Sequence, residues 1–222
     1  MKREKRYSGR VLALYEAGPK GKLEVRAAKA DQPAEILLYD EIGYWGVTAS
    51  DFTAALASVG DQPVRVRINS PGGDVFDGLA MYNALLAHKP GVETVVDGLA
   101  ASMASVIALA GKLTMQSASM YMIHKAWTIT GGNEHDLAQV GGVLAKIDGQ
   151  LAAVYAARTG KPVDEIVGAM AAETWYTADE AKAAGFAETV IAPPAAEPPK
   201  DDKRKARALA RLLLTEAELP SQ

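Results

Sequence analysis

GLAASMASVIALAG, residues 98–111, joins an apolar strand-like run to an apolar helical run. Two hydroxyls, Ser102 and Ser105, stand at this seam among alanines. A hydroxyl buried without a partner costs about 1–3 kcal/mol, so each is either hydrogen-bonded or put to use. Ser102 sits where the strand pattern gives way to the helix. A serine at such a turn can be exposed, with the next N–H, that of Met103, pointing into the same space. The helix N-terminus adds partial positive charge there. Ala100, Ala101 and Ala104 leave room for a substrate backbone. Ser105 falls one turn into the helix, where a hydroxyl ordinarily bonds a preceding carbonyl.

Working outward, short β-like runs alternate with helical patterns. GRVLALYEA (9–17), EILLYDEI (35–42), PVRVRINS (63–70), ETVVDGLA (93–100) and the long LTMQSASMYMIHK (113–125) read as strands. SDFTAALASVG (50–60) and DVFDGLAMYNALLAHKPG (74–91) read as helices, the second stopped by Lys89, Pro90 and Gly91. The alternation argues for βαβ units and a largely parallel sheet, an α/β fold. From Glu134 to about Arg158, Leu137, Val140, Leu144, Ile147, Leu151 and Val154 recur at spacings of three and four, the apolar stripe of a long helix. Gly141 and Gly142 interrupt it at about 1 kcal/mol each and mark a place for a kink. A further helix follows KPVDEI. TADEAKAAG then carries a capping box, with Thr177 at the N-cap, Glu180 three residues on and Gly185 past the end. Residues 1–192 form one domain in this reading. The proline-rich, then charged, segment 193–222 is a tail of linker and short helix.

The 222 residues are 49% hydrophobic and 23% charged, with a formal net charge of −3. This is a globular balance with ample core, and it argues against nucleic-acid binding by electrostatics. The chain has no cysteine, which excludes disulfides, thiolate metal sites and a cysteine nucleophile and suits a reducing cytoplasm. The basic N-terminus has no apolar signal core behind it. The most apolar window, Leu99 to Ala110, is shorter than the roughly 20 residues a bilayer span needs. A cytoplasmic protein without membrane contact is expected.

A serine nucleophile needs a base and an oxyanion site. His88, beside Lys89 and Pro90, reads as a helix C-terminal residue. His135, between Glu134 and Asp136, reads as a solvated helix start. His124 ends the run SMYMIHK at a strand tip, where α/β sites form, and by itself fits a core histidine as well as a base. After the strand VRVRINS comes NSPGGD (69–74), a rigid turn of bare backbone. It is either a tight loop or, through the Gly73 N–H, a second oxyanion donor.

Taken in order, INSPGGDVFDGLAMYNAL, GLAASMAS, YMIHKAW, RTGKPVDEI and ETWYTADEAKAAGFAE resemble the ClpP-type serine peptidases, over roughly residues 35–192. The resemblance implies the ClpP/crotonase-like spiral of ββα units with a long protruding helix. It implies Ser102 as nucleophile, His124 as general base, and the N–H groups of Gly73 and Met103 as oxyanion hole. The family's aspartate falls on Glu173, a carboxylate one methylene longer; Asp179 and Glu180 are explained by the capping box. Gly72, Gly73, Ala101 and Lys125 are expected along the substrate path, with no metal or cofactor. A homo-oligomer, in stacked rings, is implied, with protein or peptide substrates. YDEIGYWGVTASDF, HKAWTITGGNEHDL and AAETWYTADEAKAAGFAE are most similar to the ClpP-related head maturation proteases of phages and prophages, which implies trimming of capsid or scaffold proteins in assembling proheads. The tail is then a cleaved or scaffold-like segment, or a solvated extension. The alternatives are a housekeeping-type subunit fed by an AAA+ unfoldase, a crotonase-like acyl-CoA enzyme, and an inactive assembly protein.

Overall fold

The computed structural model describes residues 23–28 and 32–192. The first β-like run, 9–17, and the tail, 193–222, lie outside the described residues.

Among the described residues the strands are β1 (Glu24–Arg26), β2 (Ala34–Leu38), β3 (Val64–Ser70), β4 (Val92–Ala101), β5 (Lys112–Gln116), β6 (Met120–Ile123), β7 (Thr174–Thr177) and β8 (Thr189–Ile191). The helices are α1 (Ala49–Val59), α2 (Val75–Ala87), α3 (Met103–Ile107), α4 (Glu134–Thr159), α5 (Val163–Ala171) and α6 (Ala178–Ala183). The strand order is β1-β2-β3-β4-β5-β8, with β6 on β4 and β7 on β6. All pairs are parallel except β1 with β2 and β6 with β7. The expected α/β class and parallel sheet are therefore present.

β3 shows how the sequence writes this sheet. Val64, Val66, Ile68 and Ser70 are buried, and Arg65, Arg67 and Asn69 are half-buried, the period of a strand with one core face. That face meets Phe52 and Leu56 of α1 and Met81 and Leu85 of α2 in one hydrophobic cluster. Each helix starts on a side-chain cap: Thr48 accepts from the Asp51 N–H, and Asp74 from those of Phe76 and Asp77.

β4 makes the site possible. Its first half, Glu93–Val96, pairs with Lys112–Met115 of β5. Its second half, Leu99–Ala101, pairs with Met120–Met122 of β6. The long run 113–125 is thus two strands. A turn at Ser117–Ser119 divides them, with the Ser119 N–H and hydroxyl both donating to Gln116 O.

α4 begins on an Asn133 capping box, runs unbroken through Gly141 and Gly142, and ends at Gly160 in the left-handed region. Its second half buries Leu151, Ala152 and Tyr155 in the core, while Leu137 and Val143 stay exposed. The apolar stripe is half used by this chain.

Candidate active site

Parallel pairing places the C-terminal ends of β3, β4 and β6 side by side. Ser70 is opposite Ala100, and Ala101 opposite Met122. One residue beyond the end of β4 stands Ser102; one beyond the end of β6 stands His124. The Ser102 N–H donates to Met122 O at 3.0 Å, closing the turn. The Ser102 Oγ and His124 Nε2 are 2.8 Å apart, a hydrogen bond between groups 22 residues apart in sequence. Ser102 holds φ 54° and ψ −127°, a backbone region that favours glycine, at the entry to α3. The sequence accepts this strain where strand must become helix within one residue.

The glycine turn is pressed against that serine. A Cβ on Gly72 would lie 2.6 Å from Ala101 O, 2.7 Å from Ser102 Cβ and 2.8 Å from Met103 N. Gly73, at φ 147°, would drive a Cβ to within 2.0 Å of Ile42 O. Bare backbone is therefore required at both positions. Neither the Gly73 nor the Met103 N–H is spent on a turn or cap bond among the described residues. Gly72 thus lies against Ala101, Ser102 and Met103, with His124 beside Ser102 and Gly73 next in the chain against Ile42. Lys125, next to His124, is exposed, and its N–H donates to Met170 O.

Glu173 occupies the turn after α5. Ala172 caps that helix, and Glu173 follows at φ 50°, its N–H donating to Met170 O at 3.2 Å. This is the left-handed position that ends many helices, usually given to glycine. The Thr174 hydroxyl takes the Ala169 carbonyl at 2.7 Å. The Glu173 Oε1 accepts from Trp175 Nε1 at 3.4 Å, and Trp175 packs against the buried Ala101 and Met122 under the serine turn. Glu173 makes no hydrogen bond to the His124 ring; it acts on the imidazole through its charge.

Burial holds the His124 imidazole below its ordinary proton affinity, and the negative charges of Glu173 and then Asp148 oppose that shift. Asp148 has no part in the sequence reading. It lies on α4 one turn before the buried Leu151 and Ala152, and its Oδ1 accepts the Ala126 N–H at 2.8 Å. The signal was a carboxylate in register with a buried stripe.

The other candidates fall away from the site. His88 ends α2 and bonds Gln62 O at 2.8 Å. His135 is exposed on α4 beside Gln139. Thr177 and Glu180 form the capping box of α6. Ser105 is structural: its hydroxyl donates to Ser102 O at 2.5 Å and meets the Tyr155 hydroxyl at 2.7 Å, while Tyr121 donates to Ser105 O. Among the described residues no three His, Asp or Glu side chains cluster as metal ligands. No helix among them is long and apolar enough to cross a membrane.

The hydroxyl and the imidazole are thus in hydrogen-bond contact, with the bare backbone of Gly72 against the same turn. The chain is similar to known proteins. A proteolytic subunit 3 of the ATP-dependent Clp protease from Rhodococcus jostii is 34% identical over 145 residues, 64% of this chain and 72% of that protein. A proteolytic subunit of the ATP-dependent Clp protease from Bacteroides fragilis is 32% identical over 167 residues, 70% of this chain and 81% of that one. The fold matches a ClpP1 mutant from Listeria monocytogenes with TM-score 0.64 at 23% identity, covering 72% of this chain and 91% of that chain. The family model described as Clp protease matches residues 28–194. The chain belongs to the Clp protease family and is a ClpP-type serine peptidase.

Proposed function

We propose that the chain is an endopeptidase in which Ser102 is the nucleophile, His124 the general base and Glu173 the acid that steadies the imidazolium. The observation that carries this reading is the 2.8 Å contact of Ser102 Oγ with His124 Nε2 at the paired ends of β4 and β6. His124 takes the hydroxyl proton as Oγ attacks the peptide carbonyl. The oxyanion rests on the Gly73 and Met103 N–H groups, each contributing about 3–4 kcal/mol to lowering the barrier. The amine leaves with the proton from His124, and water, activated by the same imidazole, hydrolyses the acyl-enzyme. Substrate lies extended past Gly72, Gly73 and Ala101, with Lys125 on its path. The Ser102–His124 contact, which acyl-CoA chemistry and an inactive scaffold have no use for, supports this reading over both.

The working form is a homo-oligomer in stacked rings. Ile129, Leu137 and Val143, exposed on and before the first half of α4, supply apolar surface for a second copy. Residues 1–192 are the peptidase unit and 193–222 an appended tail.

The biological role has two readings. HKAWTITGGNEHDL and AAETWYTADEAKAAGFAE support head maturation of a phage or prophage, with capsid or scaffold protein as substrate. The relatives named as ATP-dependent Clp proteolytic subunits support a housekeeping role with an AAA+ unfoldase. Degradation of a folded protein by the purified chain, with and without an unfoldase and ATP, separates them. The first predicts cleavage of capsid or scaffold protein that ATP does not change; the second predicts degradation only with both. Ser102→Ala abolishes either. Activity that survives Ser102→Ala overturns the proposed chemistry.

A further inference from the structure

We propose that Asp148 is a positioning residue for the His124 base: from the middle of α4, its carboxylate holds the main chain just beyond the imidazole and sets a second negative charge beside it. This rests on the reading of His124 as general base.

After β6 ends at Ile123, the chain has no ladder to hold it until Asn133 opens α4. Two bonds fix the residues that immediately follow His124. The Lys125 N–H donates to Met170 O of α5, and the Ala126 N–H to Asp148 Oδ1 of α4 at 2.8 Å. Met170 O also accepts the Glu173 N–H, so one carbonyl ties the histidine segment to the acid's turn. Asp148 supplies the other anchor, and it is the one that carries charge. An asparagine could accept the same bond through a weaker, neutral contact, so Asp148→Asn removes the charge while leaving the anchor. Ionisable groups face the imidazole from two elements, Glu173 from the turn after α5 and Asp148 from α4, with the Ser102 hydroxyl as the polar neighbour; Lys125 is exposed. Half-buried carboxylates act more strongly than exposed ones because less water screens them.

The test separates anchor from charge in the full-length chain. The His124 titration is followed by NMR of ring-labelled histidine, a readout that needs no turnover, so failure of the peptidase reading is a separate result. Amide exchange at Ala126 is followed in parallel. Asp148→Asn keeps Ala126 protected and lowers the His124 midpoint, by less than Glu173→Gln does. Asp148→Ala lowers the midpoint and also loses the protection. Circular dichroism reports an intact fold in each variant; Asp148→Ser replaces Asp148→Asn if that variant does not fold. In active protein the acidic limb of kcat/KM moves to lower pH with the midpoint. A His124 midpoint unchanged by loss of the charge, or an Ala126 amide still protected in Asp148→Ala, overturns the proposal.

Discussion

Ser102 and Glu173 share a property no other non-glycine residue has among the described residues: a positive φ, 54° and 50°. One sits at the entry to α3 and the other at the exit of α5. Strain of this kind costs on the order of 1–3 kcal/mol per residue and persists where its surroundings hold it. Both positions bear on His124, one by hydrogen bond and one by charge.

The first prediction concerns that strain. Ser102→Gly and Ser102→Ala both lose the hydroxyl, but only glycine relaxes the backbone. Ser102→Gly should exceed Ser102→Ala in stability by about 1 kcal/mol, which for a chain of this size raises Tm by about 2–4 °C. Equal melting curves would remove strain from the description of this turn.

Glu173 gives a second. Glu173→Gly relaxes the end of α5 and should stabilise the chain relative to Glu173→Gln. Both variants remove the negative charge that raises the imidazole's proton affinity, so both shift the acidic limb of kcat/KM to lower pH and lower its plateau. An acidic limb that stays in place in Glu173→Gln would take the acid role from this residue.

Gly72→Ala is a third. The added Cβ meets Ala101 O, Ser102 Cβ and Met103 N inside 3.0 Å, at φ 88°. The serine turn must shift, and displacements near 1 Å can cost about 10²-fold in rate. Hydrolysis of a peptide ester is expected to fall by that order, with the fold retained by circular dichroism. Wild-type kcat/KM in Gly72→Ala would contradict the close approach.

The fourth is a pH dependence. Burial holds the folded His124 pKa below its usual 6.5. The unfolded chain therefore binds the proton more readily, and stability falls as pH drops from about 6.5 through the folded pKa. Activity follows the neutral imidazole and persists below pH 6.5 before it falls. In His124→Gln the melting temperature loses this part of its slope between pH 7 and pH 5; an unchanged slope would place the titration elsewhere.

Much of this was legible in the residues. VRVRINS wrote its burial period directly, and the caps at Thr177 and Gly185 stand where the sequence puts them. The meeting of Ser102 and His124 came from the resemblance, since no local rule relates residues 22 apart; the division of β4 between β5 and β6 supplies the physical reason. The division of 113–125 stayed hidden because serine and alanine keep strand alternation through the turn. β7 is short and half-buried, and its identity comes from pairing with β6 rather than from its own pattern. Asp148 was hidden because one carboxylate in a helix reads as solvated until the segment it anchors is in view.

The proposed chemistry requires one activated alcohol, at position 102. Treating the full-length chain with a fluorophosphonate probe and mapping the adduct by mass spectrometry tests it most directly. A single labelled residue is expected, Ser102, with labelling abolished in Ser102→Ala and slowed by roughly 10²–10⁴-fold in His124→Ala. Undiminished labelling in Ser102→Ala, or an adduct on a different serine, would contradict it.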